Sequence, residues 1–197
     1  MTHLYLVRHG ETDWNIQGRW QGQINVALNA KGQKQAQDLA KELAGANLQA
    51  IYSSDLRRAI DTARPLAQLT GLTIQTDARL REIHQGIWQG RLASEIQAHY
   101  VDVFQQRVSD PLTISPPGGE TVAQVQDRAL QAVHEIVQRH PDERVAIFAH
   151  GFVIAVIRVR LENQSINSVW ELVPISGEII EYSVAMKDEG FSAWLIE

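Results

Sequence analysis

The chain contains no cysteine. Disulfides, thiolate nucleophiles and cysteine-based zinc sites are therefore excluded. It also lacks any apolar run near the ~18–20 residues that a membrane-spanning helix needs. No basic segment leads into an apolar stretch in the manner of a signal peptide, so a cytoplasmic address without a membrane partner is expected. An excess of one charge sign is missing too, since 18 Lys and Arg against 23 Asp and Glu leave a formal charge of -5. The basic residues are scattered among acids, which argues against a nucleic-acid partner, because polyanion binders carry a basic face or stripe. Neither a His-x-x-x-His nor a His-x-His pair occurs among the 7 histidines, and acidic two-metal clusters are absent, so the chain demands no metal and no other cofactor. It has no internal repeat, linker or low-complexity segment. What remains, 197 residues of which 44% are apolar and 21% charged, is an ordinary globular composition with enough length for a sizeable core. One domain over residues 1–197 is expected.

Strand-like and helix-like segments alternate along it. Leu4-Tyr5-Leu6-Val7 reads as a buried strand, and residues 32–43 place Ala36, Leu39, Ala40 and Leu43 on one helical face. A strand is expected over residues 48–52, followed by Ser53-Ser54-Asp55 as N-cap chemistry for a helix that stops near Thr70-Gly71. Residues 72–75 form a short strand candidate, and one helix is expected over about residues 93–107, before a proline-rich exit at Pro111, Pro116 and Pro117. Thr121 and Gln124 fit a capping box that opens a long helix ending near His140-Pro141. Residues 144–149 are nearly all apolar, as in a parallel strand covered on both faces. A short helix after His150-Gly151 and strands over residues 169–174, 179–184 and 193–196 complete the pattern. Such alternation predicts a three-layer α/β/α sandwich with a mostly parallel central sheet, and residues 83–117 are expected to form a small helical cap over one end of it.

Chemistry concentrates where strands end. Arg8-His9-Gly10-Glu11 follows the first strand, and His150 follows the strand over residues 144–149 in the equivalent position. If the two strands are parallel neighbours, both imidazoles emerge at one edge, where open α/β sheets bind ligands. Arginine offers a planar donor fork suited to phosphate oxygens, and histidine is nucleophilic near neutral pH. Arg57 and Arg58 stand in the first turn of the helix after the second strand, beside free N–H groups that also favour anions. Periodicity alone does not choose between them; Leu56 and Ala59 toward the core favour Arg58 at the site and leave Arg57 to the surface. His3, His99, His134 and His140 read as surface or helix residues. Trp14, Trp20 and Trp88 are placed to wall the site, whereas Trp170 and Trp194 are assigned to core or interface.

Five ordered motifs together resemble the histidine phosphatase superfamily, the phosphoglycerate-mutase-like enzymes. They are Leu6-Val7-Arg8-His9-Gly10-Glu11-Thr12 with Trp14-Asn15, Ser53-Ser54-Asp55-Leu56-Arg57-Arg58-Ala59 with Thr62-Ala63, Leu80-Arg81-Glu82-Ile83 with Gly86 and Gly90, Pro117-Gly118-Gly119-Glu120-Thr121, and Ala149-His150-Gly151. The resemblance implies His9 as nucleophile, Glu82 as proton donor, and a phosphate pocket of Arg8, Asn15, Arg58 and His150, with Gln21, Gly22, His84 and Gly151 as further contacts. A neutral His9 would attack phosphorus and form a phosphohistidine that water cleaves. Arg8, Arg58 and a protonated His150 would stabilise the equatorial oxygens of a loose transition state. Glu82 would have to hold a proton for the leaving alkoxide, and Glu11 is given a structural role.

The superfamily hosts mutases and phosphatases on one site. Cofactor-dependent mutases carry Glu-Arg-His-Tyr-Gly after the acid, whereas this chain reads Glu82-Ile83-His84-Gln85-Gly86 and has no lysine-rich insertion between Leu80 and Pro117. Both departures favour a phosphatase acting on a small phosphomonoester. His84 keeps a phosphoglycerate mutase open, and a non-catalytic phosphate sensor or protein-binding module on the same fold would need the arginines without both nucleophile and acid. Phe152 is expected to narrow the pocket, and Ile87, Trp88, Tyr100 and Phe104 in the cap suit a sugar phosphate, a phosphoamino acid or a nucleotide-like alcohol equally. The C-terminal apolar strands fit an ordinary sheet edge or pairing across a homodimer.

Overall fold

The first apolar strand and the one over residues 144–149 do lie side by side. In the computed structural model, which describes residues 1–186 and 194–196, β1 (Thr2–Arg8) runs parallel to β4 (Arg144–Ala149) with Arg8 opposite Ala149. They sit in a six-stranded sheet of order β3-β2-β4-β1-β5-β6, with β2 (Ala50–Ser53), β3 (Ile74–Thr76), β5 (Ile179–Met186) and β6 (Trp194–Ile196). The β1–β4, β4–β2 and β2–β3 pairings are parallel; β5 and β6 close one side antiparallel. The mostly parallel expectation holds for the strands that carry chemistry. Residue 193 and the Trp194 side chain lie outside the described residues.

Alternation along β1 builds the three layers, because neighbouring strand side chains point to opposite faces. Leu4 and Leu6, with Tyr52, Val145, Ile147 and Ala149, pack against α6 (Val122–Arg139) and α7 (Gly151–Leu161). Tyr5 and Val7, with Ile51, Ala146 and Phe148, pack on the other face against α2 (Ala30–Ala44) and α3 (Arg57–Thr70). The α6 stripe of Val122, Val125, Ala129, Val133 and Ile136 is almost wholly buried, and each of its Val and Ile side chains contributes about 1.5–3 kcal/mol by leaving water. Thr121 caps this helix, with the reciprocal Gln124 bond of the capping box present. No helix among the described residues is long and apolar enough to cross a membrane.

Three segments depart from the sequence reading. The helix expected over residues 93–107 is two helices, α4 (Ala93–His99) and α5 (Val101–Ser109). The break at Tyr100 turns Tyr100 and Phe104 onto Trp88, at 5.8 and 6.4 Å between ring centroids, so aromatic packing overrides helical continuity. Residues 169–174 form no strand; a 3-10 helix, Ile166–Trp170, buries Val169 and sets Trp170 against Phe152 at 5.0 Å. A short apolar run does not distinguish these outcomes by periodicity. Finally, α3 begins at Arg57, so the N-cap position falls on Leu56, whose side chain has no acceptor; the Ser54 hydroxyl instead accepts the Leu56 N–H and lies 2.8 Å from His150 Nε2. A four-residue helix, α1 (Asp13–Ile16), follows the β1 loop.

Candidate active site

The carboxyl ends of β1, β2 and β4 converge on a cavity of about 330 Å³. Its wall includes Arg8, His9, Asn15, Gln21, Gly22, Arg58, Glu82 and Gly151 among the residues expected there, together with Trp14, Trp20, Phe152 and Trp170.

His9 is held from two sides. Its Nδ1 lies 2.7 Å from the Gly10 carbonyl oxygen and its Nε2 accepts the Arg58 Nε–H at 3.2 Å. A carbonyl only accepts, so the proton sits on Nδ1 and the Nε2 lone pair is the acceptor turned toward Arg58 at the buried end of the cavity. Burial, reinforced by the Arg58 and Arg8 charges, pushes the His9 pKa well below the histidine value of 6.5. The imidazole is neutral, as a nucleophile must be. Gly10 makes this placement feasible: its N–H donates to Thr62 Oγ1 at 3.0 Å, and a Cβ there would stand 2.6 Å from the Gly32 carbonyl.

Arg58 is 1% exposed and donates Nη1 to the Ile24 carbonyl at 2.8 Å and Nη2 to the Gly22 carbonyl at 2.7 Å. Gly22 thus positions the arginine through its carbonyl. Burial pulls Arg58 down to about 10, with Glu82 opposing the shift, which leaves it a cation at neutral pH. Arg57 pairs with Asp61 on the surface. Arg8 donates Nη1 to the Pro174 carbonyl while its Nε has no partner among the described residues. Asn15 spends its carboxamide oxygen on the Thr12 N–H and hydroxyl, which leaves its amide donor for a ligand. Gln21 is buried with Oε1 unpaired among the described residues.

Glu82 accepts the Ile83 N–H at Oε1 (2.9 Å) and the Phe152 N–H at Oε2 (3.3 Å). Its loop is clamped from behind by Arg128 on α6, which donates to the carbonyls of Arg79, Arg81 and Glu82 and grips Glu120 with Nε and Nη2 at 2.8 and 2.9 Å. Burial raises the Glu120 pKa, but Arg128 and the His84 N–H outweigh it and hold this carboxyl below its usual range. Glu11 has the structural place expected of it, accepting from Asn29 and Lys31.

Three expectations need correction. Trp88 does not wall the cavity; it is fully buried behind Trp20, edge-on at 5.6 Å. His84 is not in the cavity wall; its N–H binds Glu120 and its Nδ1 accepts the Gly86 N–H at 3.1 Å, so the chain turns the ring into a loop-stabilising role. His150 is also absent from the wall: it is fully buried, its ring 5.2 Å from that of His9 and its Nε2 2.8 Å from Ser54 Oγ. Burial first, then Arg58 and the other cations, drive its pKa well below 6.5. It is neutral in the resting pocket, not protonated. Thr62, Arg128 and Trp170 were not read as site residues, and only Thr62 lay inside a quoted motif. Among the described residues, no group of three or more His, Asp or Glu side chains is placed to hold a metal ion.

A buried neutral imidazole, a buried and a half-buried arginine and a carboxylate round one cavity suit phosphoryl transfer, and comparison with known proteins agrees. The family model of the histidine phosphatase superfamily, branch 1, matches residues 4–192. The chain belongs to that superfamily. Phosphoserine phosphatase 1 of Hydrogenobacter thermophilus is 34% identical over 86% of this chain and 81% of its own length. A metal-independent phosphoserine phosphatase of Arabidopsis thaliana is 34% identical over 100% of the chain and 80% of its own. Among solved structures, a mycobacterial glucosyl-3-phosphoglycerate phosphatase complexed with VO3 superposes with a TM-score of 0.87 at 32% identity, covering 99% of this chain and 97% of that one. Within the histidine phosphatase superfamily, these relatives favour a phosphatase over a mutase.

Proposed function

We propose that the chain is a metal-independent phosphomonoesterase acting on a small phosphorylated metabolite through a phosphohistidine on His9. The observation that carries this reading is the His9 imidazole, its proton on Nδ1 and its Nε2 lone pair against Arg58, in one cavity wall with Glu82. Nε2 attacks phosphorus as the P–O bond to the alcohol breaks, and Glu82 passes a proton to the departing oxygen. Water then attacks the phosphohistidine, Glu82 takes its proton, and the N–P bond breaks to release phosphate. Arg8, Arg58 and the Asn15 amide hold the equatorial oxygens, with Gln21 and the Gly151 backbone beside them; His150 backs the site as a neutral donor. Because the transition state is loose, this positioning and charge supply most of the acceleration.

Residues 83–117 act as a cap within one domain, carrying Gln85 to the cavity wall. A cytoplasmic address suits such a substrate. β6 lies at the sheet edge, where a second copy can pair, and size-exclusion chromatography decides that point. The mutase reading lacks the arginine and tyrosine at Ile83 and Gln85. Hydrolysis of 4-nitrophenyl phosphate tests the function: wild type is expected to turn it over equally with and without EDTA and to form an acid-labile phosphoenzyme that His9→Ala does not form. A His9→Ala protein as active as wild type overturns the mechanism.

A further inference from the structure

Arg107, on α5, is 1% exposed and in no ion pair among the described residues. Its Nη1 donates to Gln85 Oε1 at 2.9 Å, while Nε and Nη2 have no hydrogen-bond partner among the described residues. The guanidinium carbon lies 5.6, 5.7 and 5.5 Å from the ring centroids of Trp20, Trp88 and Trp170. Burial pulls its pKa down to about 10, with Glu82 opposing, so it stays charged at neutral pH.

Other arginines of this protein show what the free edge is for. Arg81 uses Nε and Nη2 to grip Asp55, and Arg128 uses the same two donors on Glu120. This side-on edge matches the two oxygens of a planar carboxylate. Leaving it bare inside an aromatic cage is costly unless an anion arrives, because a desolvated cation gains most from a partner where water is excluded. Trp20, Gln85 and Trp170, which touch the guanidinium, are themselves part of the cavity wall. Arg107 is therefore the cation immediately behind the substrate pocket, separate from the arginines that face the phosphoryl group.

We propose that Arg107 is a specificity-determining residue whose Nε–Nη2 edge receives a carboxylate on the alcohol portion of the substrate, reached as a cage tryptophan side chain swings aside. The preferred substrates are then phosphoesters of small hydroxy acids. A slot among aromatic rings suits a planar anion better than a second tetrahedral phosphate. The inference rests on the phosphatase reading.

Two substrate pairs differing by one carboxylate test it: 3-phosphoglycerate against glycerol 3-phosphate, and phosphoserine against phosphoethanolamine. A charge-assisted bidentate contact predicts a kcat/KM ratio of about tenfold to a hundredfold in favour of the acid in wild type. Arg107→Met is expected to bring that ratio close to one, chiefly through KM for the acids, and Arg107→Lys to retain part of it. A wild-type ratio near one overturns the proposal, as does an Arg107→Met protein that loses activity equally on both members of each pair or keeps the wild-type ratio. If Arg107→Met shows no cooperative melting, the wild-type ratio and Arg107→Lys decide. Failure of wild type to hydrolyse even 4-nitrophenyl phosphate refutes the phosphatase reading instead.

Discussion

The two neutral histidines make the stability of this protein depend on pH in a particular window. His9 and His150 are fully enclosed beside Arg8 and Arg58, and both have pKa values pushed well below 6.5. In the unfolded chain they titrate near 6.5. Below that pH the unfolded state binds protons that the folded state refuses, so folding stability is complete above about pH 6.5 and falls as pH decreases. If both rings stay neutral in the fold, the pair loses on the order of 3 kcal/mol between pH 7.5 and 5.5. Urea unfolding of wild type and of a His9→Gln/His150→Gln double variant at the two pH values measures this directly. Other titrating groups, including Asp55 and Glu120, occur in both proteins and cancel in the difference. Wild type is expected to lose about 3 kcal/mol more than the variant over this interval. Parallel pH dependences would refute the claim that burial and the arginines keep the imidazoles uncharged, and with it the reason His9 Nε2 is available as a nucleophile.

Further tests address the acid and its support. Glu82→Gln should lower kcat on alkyl phosphoesters by about 10²–10⁴-fold and lower it less on 4-nitrophenyl phosphate, whose leaving group needs no proton; an equal loss on both argues against proton donation. Arg128→Met removes the clamp on the carbonyls of Arg79, Arg81 and Glu82. An ångström of misplacement costs up to about a hundredfold, so kcat should fall by about 10–100-fold with KM little changed and partial rescue by Arg128→Lys. A change confined to KM would assign Arg128 to substrate binding instead.

Much of the fold was legible because its signals are local. Leu4 and Leu6 part from Tyr5 and Val7 by simple strand alternation, and each set meets its own helical layer. The Thr121 cap with Gln124 needs only neighbours three residues apart, and it forms as expected. His9 and His150 were readable as partners because each follows an apolar strand, and the register Arg8 to Ala149 brings them together. The break at Tyr100 and the 3-10 helix at residues 166–170 were not legible. Both answer to packing against Trp88 and Phe152, residues distant in the chain. His84 illustrates the same limit at the site, since its direction is set by Glu120 from another segment.

By itself, then, the amino-acid sequence determined the α/β class and the sheet edge that bears Arg8, His9 and His150, which follow from periodicity and residue type, while the remaining candidate site residues, Glu82, Asn15 and Gln21 among them, came from the resemblance to a family. Protonation and reach were decided only by the tertiary structure. A histidine's charge depends on how much water its surroundings exclude and which cations stand near it, so the neutrality of His150 could not be read from its neighbours in the chain. The clamp by Arg128 and the aromatic cage round Arg107 join residues from separate segments. Their roles arise when the chain brings a buried charge close to a carbonyl or an indole, and no spacing along the sequence encodes that distance.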